Sequence, residues 1–312
     1  GDLLVGDPGW VAWAQRLDVP ERVRPCDPPE PRPPLDARPT RLSVTRVETW
    51  MRDPYDLYAD RILRLRALDP LDQDPGAAEH GTLIHAVLES FAKRAARDGL
   101  PDDIGAVLRQ IGRAKFDELK VRPGLRAFWW PRFERIADWL AAEERARRAD
   151  GRSVLAEQEG RMTVEGAAME LRLTAKADRI ERLPDGRLAI VDYKTGTAPS
   201  PKQVALGLSP QLPLEAAIAA HGGFPDVPAA STAELAYWRL TGGATPGERK
   251  PVDKEPPDAL AERALDGLRG LIDAFADPEV PYRARPRPAW APRYTDYDHL
   301  ARVQEWSAGA GG

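Results

Sequence analysis

The sequence predicts an α/β layer fold, and three observations carry that reading. Between Thr40 and Ala149 apolar residues recur at helical spacing. At Gly151 the texture changes to three strand-like runs, Ser153–Val164, Glu170–Arg182 and Arg187–Lys194. Beyond Lys194 helix, strand and helix alternate, which places helices on both sides of a sheet.

The elements follow in order. From Pro25 to Pro39 proline is too dense for helix or sheet, so the segment reads as an extended linker behind an upstream element at 1–24. The folded unit is expected to run from 40 to 312, with a helical segment at about 100–150 inserted before the sheet. Ser43 is a candidate N-cap for a helix through Val47 and Trp50. A second helix follows Asp53-Pro54. A third spans His80–Arg97, where Ile84, Val87, Leu88 and Phe91 form one apolar stripe. Pro184-Asp185-Gly186 fits a three-residue hairpin loop, with glycine in the left-handed position. That loop pairs Ile180 with Ile190 and would set Asp178 opposite Asp192, on the side of the sheet that carries Lys194. A helix from Ser209 stops at Gly222-Gly223, Glu234–Leu240 reads as a strand, and Ala259–Phe275 as a helix.

Composition removes several classes. The 312 residues are 42% hydrophobic and 30% charged, as expected for a globular protein in water. A net charge of -4 excludes a uniformly basic surface but leaves room for a local basic groove. One cysteine, Cys26, excludes an internal disulfide. No apolar run is long enough to span a membrane, and the opening residues carry no basic signal region. The expected setting is cytoplasmic. An opening Gly1 in place of methionine fits a piece of a longer chain.

The chemistry centres on Asp192-Tyr193-Lys194. Alternation along a strand sends Asp192 and Lys194 to one face, roughly 7 Å apart at the Cα atoms. A carboxylate that holds a divalent cation and a lysine that steadies a phosphate suit phosphodiester hydrolysis. An isolated Asp-x-Lys is more often an ion pair at a strand end. Asp178, Gln211 and His85 raise the odds of a site, because Asp178 closes the preceding strand, Gln211 opens the next helix, and His85 flanks an apolar stripe that packs on the sheet.

The string Ala177-Asp178-Arg179-Ile180-Glu181, then Asp185-Gly186, then Ile190-Val191-Asp192-Tyr193-Lys194-Thr195-Gly196, resembles the RecB-type PD-(D/E)XK nucleases. Gln211-Leu212-Pro213-Leu214 and Gly81 to His85 match further motifs of that family in the same order. Within it the similarity is to the nuclease domain of the AddB subunits of AddAB repair complexes. The resemblance implies a restriction-endonuclease-like core, with a central mixed sheet flanked by helices. It implies that His85, Asp178, Asp192 and the Tyr193 carbonyl hold a metal and that Lys194 is the catalytic lysine. Gln211 would bind or support substrate, and Glu157 would match the acidic residue of an earlier strand. Magnesium is the expected ion, with manganese the alternative. The implied activity is exonuclease-type cleavage of DNA, as a single strand or an unwound duplex end, during double-strand break repair and recombination. It would work at the nucleoid beside an AddA-like helicase–nuclease subunit, since this chain has no phosphate-binding loop for ATP. A catalytically silent DNA-binding scaffold of the same complex is the alternative.

Two departures stand out. Glu215 replaces the aromatic residue that ends the motif after Gln211. Asp53 stands where many relatives carry the first of four cluster cysteines, and the C-terminal segment has none, so an iron–sulfur cluster is not expected. Tyr55, Tyr58, Trp290, Tyr294, Tyr297 and Trp306 are expected to tie the two ends together instead.

Overall fold

The structure is a computed structural model and describes residues 8–17, 19, 26–68, 76–119, 121–292 and 294–307. Its centre is a mixed six-stranded sheet of β1 (Arg41–Ser43), β2 (Ser153–Glu165), β3 (Glu170–Arg182), β4 (Leu188–Lys194), β5 (Thr232–Leu240) and β6 (Gly247–Pro251). The strand β3 organises it. It pairs antiparallel with β2 along its whole length, antiparallel with β4 through its last four residues, and parallel with β1 through Arg172–Thr174. The far half continues as β4 parallel to β5 and β5 antiparallel to β6.

Helices cover both faces, as the sequence predicts. On the first face lie α2 (Val44–Arg52), α8 (Gln211–Ala220) and α9 (Pro257–Phe275), packed against Leu173, Ala177, Ile180 and Ile190. On the second lie α4 (Ala77–Asp98), α5 (Ile104–Glu118) and α6 (Pro123–Arg148), packed against Val191, Tyr193 and Trp238. Residues 188–193 of β4 are buried on both faces, which is why Leu188–Val191 reads as an apolar run up to Asp192. Local signals set the boundaries. Ser43 Oγ accepts the Arg46 amide at 3.3 Å and caps α2. The α3 turn (Pro54–Leu57) starts at a proline and passes into a π turn, Tyr58–Ile62.

The β3–β4 hairpin has the predicted register. Leu183 N donates to Arg187 O and Gly186 N to Leu183 O, both at 2.9 Å, and Gly186 adopts φ 86°. Ile180 faces Ile190.

The proline-rich segment is extended, and it is also bound. Arg38 is buried and donates to the carbonyls of Pro33, Phe275, Asp277 and Pro278, while Tyr282 N donates to Pro31 O at 2.9 Å. The strap therefore seals the C-terminal end of α9 instead of hanging free. Of the upstream element, α1 (Pro8–Leu17) is described, and the rest of 1–24 except Val19 lies outside the described residues.

The chain ends meet through a smaller set of aromatics than expected. Tyr55, Tyr58, Tyr297 and Trp306 pack around Ala284, Ala301 and Val303, and Tyr297 Oη donates to Leu65 O at 2.8 Å. Trp290 and Tyr294 remain exposed. Polar contacts take their share, since Arg285 Nη2 donates to both carboxylate oxygens of Asp298, at 2.7 and 2.8 Å. Among the described residues no helix is long and apolar enough to cross a membrane.

Candidate metal centre

The site lies where β3 and β4 part. Their ladder ends at Arg179–Val191, so the next rung, which would set Asp178 opposite Asp192, does not form. Beyond the fork β3 takes β1 as its partner. Asp178 fills the gap with its side chain: Oδ2 accepts the Tyr193 amide at 2.8 Å, and Oδ1 lies 3.2 Å from His85 Nδ1. The ring of His85 is fixed at its other end by Tyr193 O, 3.1 Å from Nε2. Burial opposes the imidazolium, but the hydrogen bond and charge of Asp178 outweigh it and raise the His85 pKa. A charged ring can donate at both nitrogens, which suits these two acceptors.

Glu157 completes the cluster through an irregular backbone. On either side of it Ala156 pairs with Arg179 and Gln158 with Ala177, but Glu157 skips its rung and adopts φ 52°. A left-handed non-glycine residue inside a strand is strained, and such strain gathers at functional sites. The Glu157 carboxylate pairs with Lys176. Ligand atoms of His85, Glu157 and Asp178 all lie within 4.8 Å of one another. Two carboxylates and an imidazole this close suit a cation, which would relieve their repulsion.

Asp192 and Lys194 approach from the other side. Val191 and Tyr193 pack into the second layer, so Asp192 and Lys194 turn toward the start of α8. Lys194 Nζ lies 2.8 Å from Asp192 Oδ2, and Gln211 Nε2 donates to Asp192 Oδ1 at 2.6 Å. Gln211 Oε1 in turn accepts from Lys194 at 3.3 Å. Burial pushes the Asp192 carboxyl up to about 6, against the pull of Lys194. Lys194 is raised because the Asp192 charge outweighs the cost of its own burial. Glu215 lies one helical turn beyond Gln211 and takes a 3.2 Å bond from its Nε2. Burial, with the Asp192 charge adding to it, lifts the Glu215 carboxyl well above the ordinary range.

All the sequence-predicted residues therefore meet at one fork, in two groups. His85, Glu157, Asp178 and the Tyr193 carbonyl form one, and Asp192, Lys194 and Gln211 the other. A groove of about 470 Å³ opens over the second group, lined also by Glu48 and Arg52 of α2. Sequence reading passes over these two because their i, i+4 spacing, realised as a 2.8 Å ion pair, reads as an ordinary helix-surface contact.

A glycine sets the approach of α4. A Cβ at Gly81 would stand 3.1 Å from Thr195 Oγ1, on the turn that follows β4. One helical turn later the same helix presents His85. A side chain at 81 crowds that hydroxyl, and the branched atoms of valine crowd it more. We expect Gly81→Val to disturb the 3.2 Å contact between His85 and Asp178, read by NMR as a changed imidazole titration at an unchanged melting temperature. An imidazole that titrates as in the wild type would show that the glycine does not set the ring's position.

Comparison with known proteins bears on the assignment. Residues 41–290 match the PD-(D/E)XK nuclease superfamily as a family. The chain belongs to the PD-(D/E)XK nuclease superfamily. An uncharacterised protein of Rickettsia bellii is 32% identical over 186 residues, 60% of this chain and 22% of that protein. A related protein of Rickettsia conorii is 32% identical over 190 residues, covering 60% and 23%. An ATP-dependent helicase/deoxyribonuclease subunit of Streptococcus agalactiae is 26% identical over 175 residues, covering 56% of this chain and 16% of that protein. The matched region thus spans under a quarter of these relatives' length. In this member of the superfamily Asp178, Asp192 and Lys194 all lie at the fork between β3 and β4.

Proposed function

We propose that this domain hydrolyses DNA phosphodiester bonds with a bound magnesium ion, as an exonuclease-type activity in the processing of double-strand break ends. The convergence of His85, Glu157 and Asp178 at the fork, beside the Asp192–Lys194 pair, carries the reading. His85, Asp178, Asp192 and the Tyr193 carbonyl would hold the ion, with Glu157 beside them. Manganese would fit the same oxygen-rich set. Bound there, the ion would supply Lewis-acid polarisation and a more acidic water.

The chain's own residues do the rest. Lys194, kept cationic by Asp192, sets a positive charge beside the groove where a scissile phosphate would lie. Gln211 bonds both partners and fixes the lysine's reach. Asp178 ties its carboxylate to the Tyr193 amide, which holds that carbonyl toward the cluster. Similarity to an ATP-dependent helicase/deoxyribonuclease subunit supports action beside an AddA-like protein that supplies ATP-driven unwinding.

Incubation of linear DNA with magnesium tests the assignment. Cleavage that stops on chelation and returns with magnesium or manganese is expected, and DNA left intact at every metal concentration would overturn it.

Protons should compete with the metal. The ligands bind as carboxylate and neutral imidazole. Asp192 takes a proton below about 6 and the His85 pKa is raised, so both shifts protonate the site as pH falls. Manganese affinity, followed by titration calorimetry from about pH 8 down to about pH 5, is expected to fall through about pH 6. An affinity constant across that window would count against this ligand set.

A further inference from the structure

Next to the fork, β1, β2 and β3 carry a strip of exposed side chains. Along β3 the odd residues 171–177 are buried in the first layer, so Arg172, Thr174 and Lys176 point the other way at two-residue steps of about 6.6 Å. Neighbouring strands add to the same face. Arg41 of β1 pairs with Arg172, and Arg161 of β2 with Thr174. A shallow groove of about 390 Å³ runs between them. Arg41, Arg161 and Arg172 are exposed and make no side-chain hydrogen bond or ion pair among the described residues. These three cations stand together in a chain whose net charge is -4. Among the described residues Glu159, opposite Lys176, is the one acidic residue lining the groove.

The strip has a direction. At one end Lys176 pairs with Glu157 of the metal cluster, and the next step along β3 is Asp178. At the other end, the Glu165–Glu170 pair at the tip of the β2–β3 hairpin closes it. Among the described residues no aromatic side chain lines it, so base stacking plays no part.

We propose that Arg41, Arg161, Arg172 and Lys176 form a phosphate track that leads a single DNA strand across the exposed face of β1–β3–β2 into the fork. The occupant follows from charge and shape: a polymer with evenly spaced negative charges, bound through its backbone without regard to base sequence. The proposal rests on the nuclease reading for its destination, but the track is measurable without cleavage.

Anisotropy of a labelled single-stranded oligonucleotide, with chelator present, provides the test. The triple variant R41A/R161A/R172A is expected to bind on the order of tenfold more weakly at low salt. The slope of log K against log salt should flatten by about 2, as three phosphate contacts on a single strand imply. Lysine at the same three positions should restore most of the binding, which separates charge from folding. Glu159→Gln should bind a few-fold more tightly, an improvement that a damaged fold cannot imitate. Wild-type affinity and slope in the triple variant would overturn the track, as would strong base preference. A wild type that binds with this salt dependence yet never cuts would keep the track and refute the nuclease assignment. One that cuts while the triple variant binds normally would do the reverse.

Discussion

Asp178→Asn, Asp192→Asn and Lys194→Ala are each expected to lose about a thousandfold or more of DNA cleavage while the protein stays folded. The size of the effect follows from interdependence. Asp178 bonds the Tyr193 amide and His85, Asp192 bonds Lys194 and Gln211, and one strand carries both the second carboxylate and the lysine. Groups that act as a unit lose most of the rate when any one is removed. Stability should hardly move at Asp192. Its carboxyl is raised to about 6 by burial, so at neutral pH the folded state holds that charge at a cost the unfolded state does not bear. Asparagine removes the cost, though it also takes the partner from Lys194. A melting temperature within a few degrees of wild type is therefore expected, alongside lost activity. Cleavage by Asp192→Asn at the wild-type rate would end the assignment.

The second large effect lies on the opposite face of the same strands. Arg179 follows Asp178 directly and is 1% exposed, with its guanidinium 4.7 Å from the ring centroid of Trp238. It pairs with Glu144 of α6 and donates to Glu181 at 2.6 Å. Arg147 then bridges Glu181 at 2.7 Å and Glu234 at 2.9 Å. Burial would raise the Glu181 carboxyl, but Arg179 and Arg147 overcome it and hold the group at about 2. A depressed carboxylate contributes stability above its unfolded pKa and loses it as pH falls toward the folded value. Removing one cation strands buried carboxylates. Arg179→Met is therefore expected to cost about 3 to 5 kcal/mol in urea unfolding. Arg187→Ala, which breaks an exposed pair with Asp185, should change stability by less than about 0.5 kcal/mol. Equal effects from the two variants would show that burial does not govern this network.

How much of the molecule is legible in its sequence depends on how far each signal reaches along the chain. Ser43, Pro184-Asp185-Gly186 and the apolar run of β4 act within a few residues, and they fix a cap, a hairpin register and a buried strand. His85 is legible as a candidate because its stripe places it at the edge of a packed face. Short pieces are not legible. The three-residue β1, the five-residue β6 and the short helices α7 (Pro201–Ala205) and α10 (Val303–Ser307) are too brief for periodicity to register. They exist because longer neighbours offer them partners. The fork is invisible for another reason. Alternation carried past Arg179 predicts a continuing ladder, and nothing near Asp178 announces that β3 exchanges β4 for β1 there. Glu157 can be placed on its strand, but its left-handed backbone cannot be read from the residue type. The bound state of the proline strap depends on Arg38 reaching carbonyls more than 230 positions away, a contact no local pattern encodes.

The fork sets stability and function against each other at one residue. A regular pair of strands would use the Tyr193 amide in a backbone rung, and Asp178 takes that amide with its side chain. A β-branched apolar residue at 178 would favour continued pairing and fill the gap between β3 and β4. Such a protein would gain order at the centre of its sheet and lose the opening that admits a ligand. Selection for thermal endurance alone should therefore drift toward a closed seam, and selection for cleavage should keep it open. In this fold the candidate site is a place where the sheet is left unfinished.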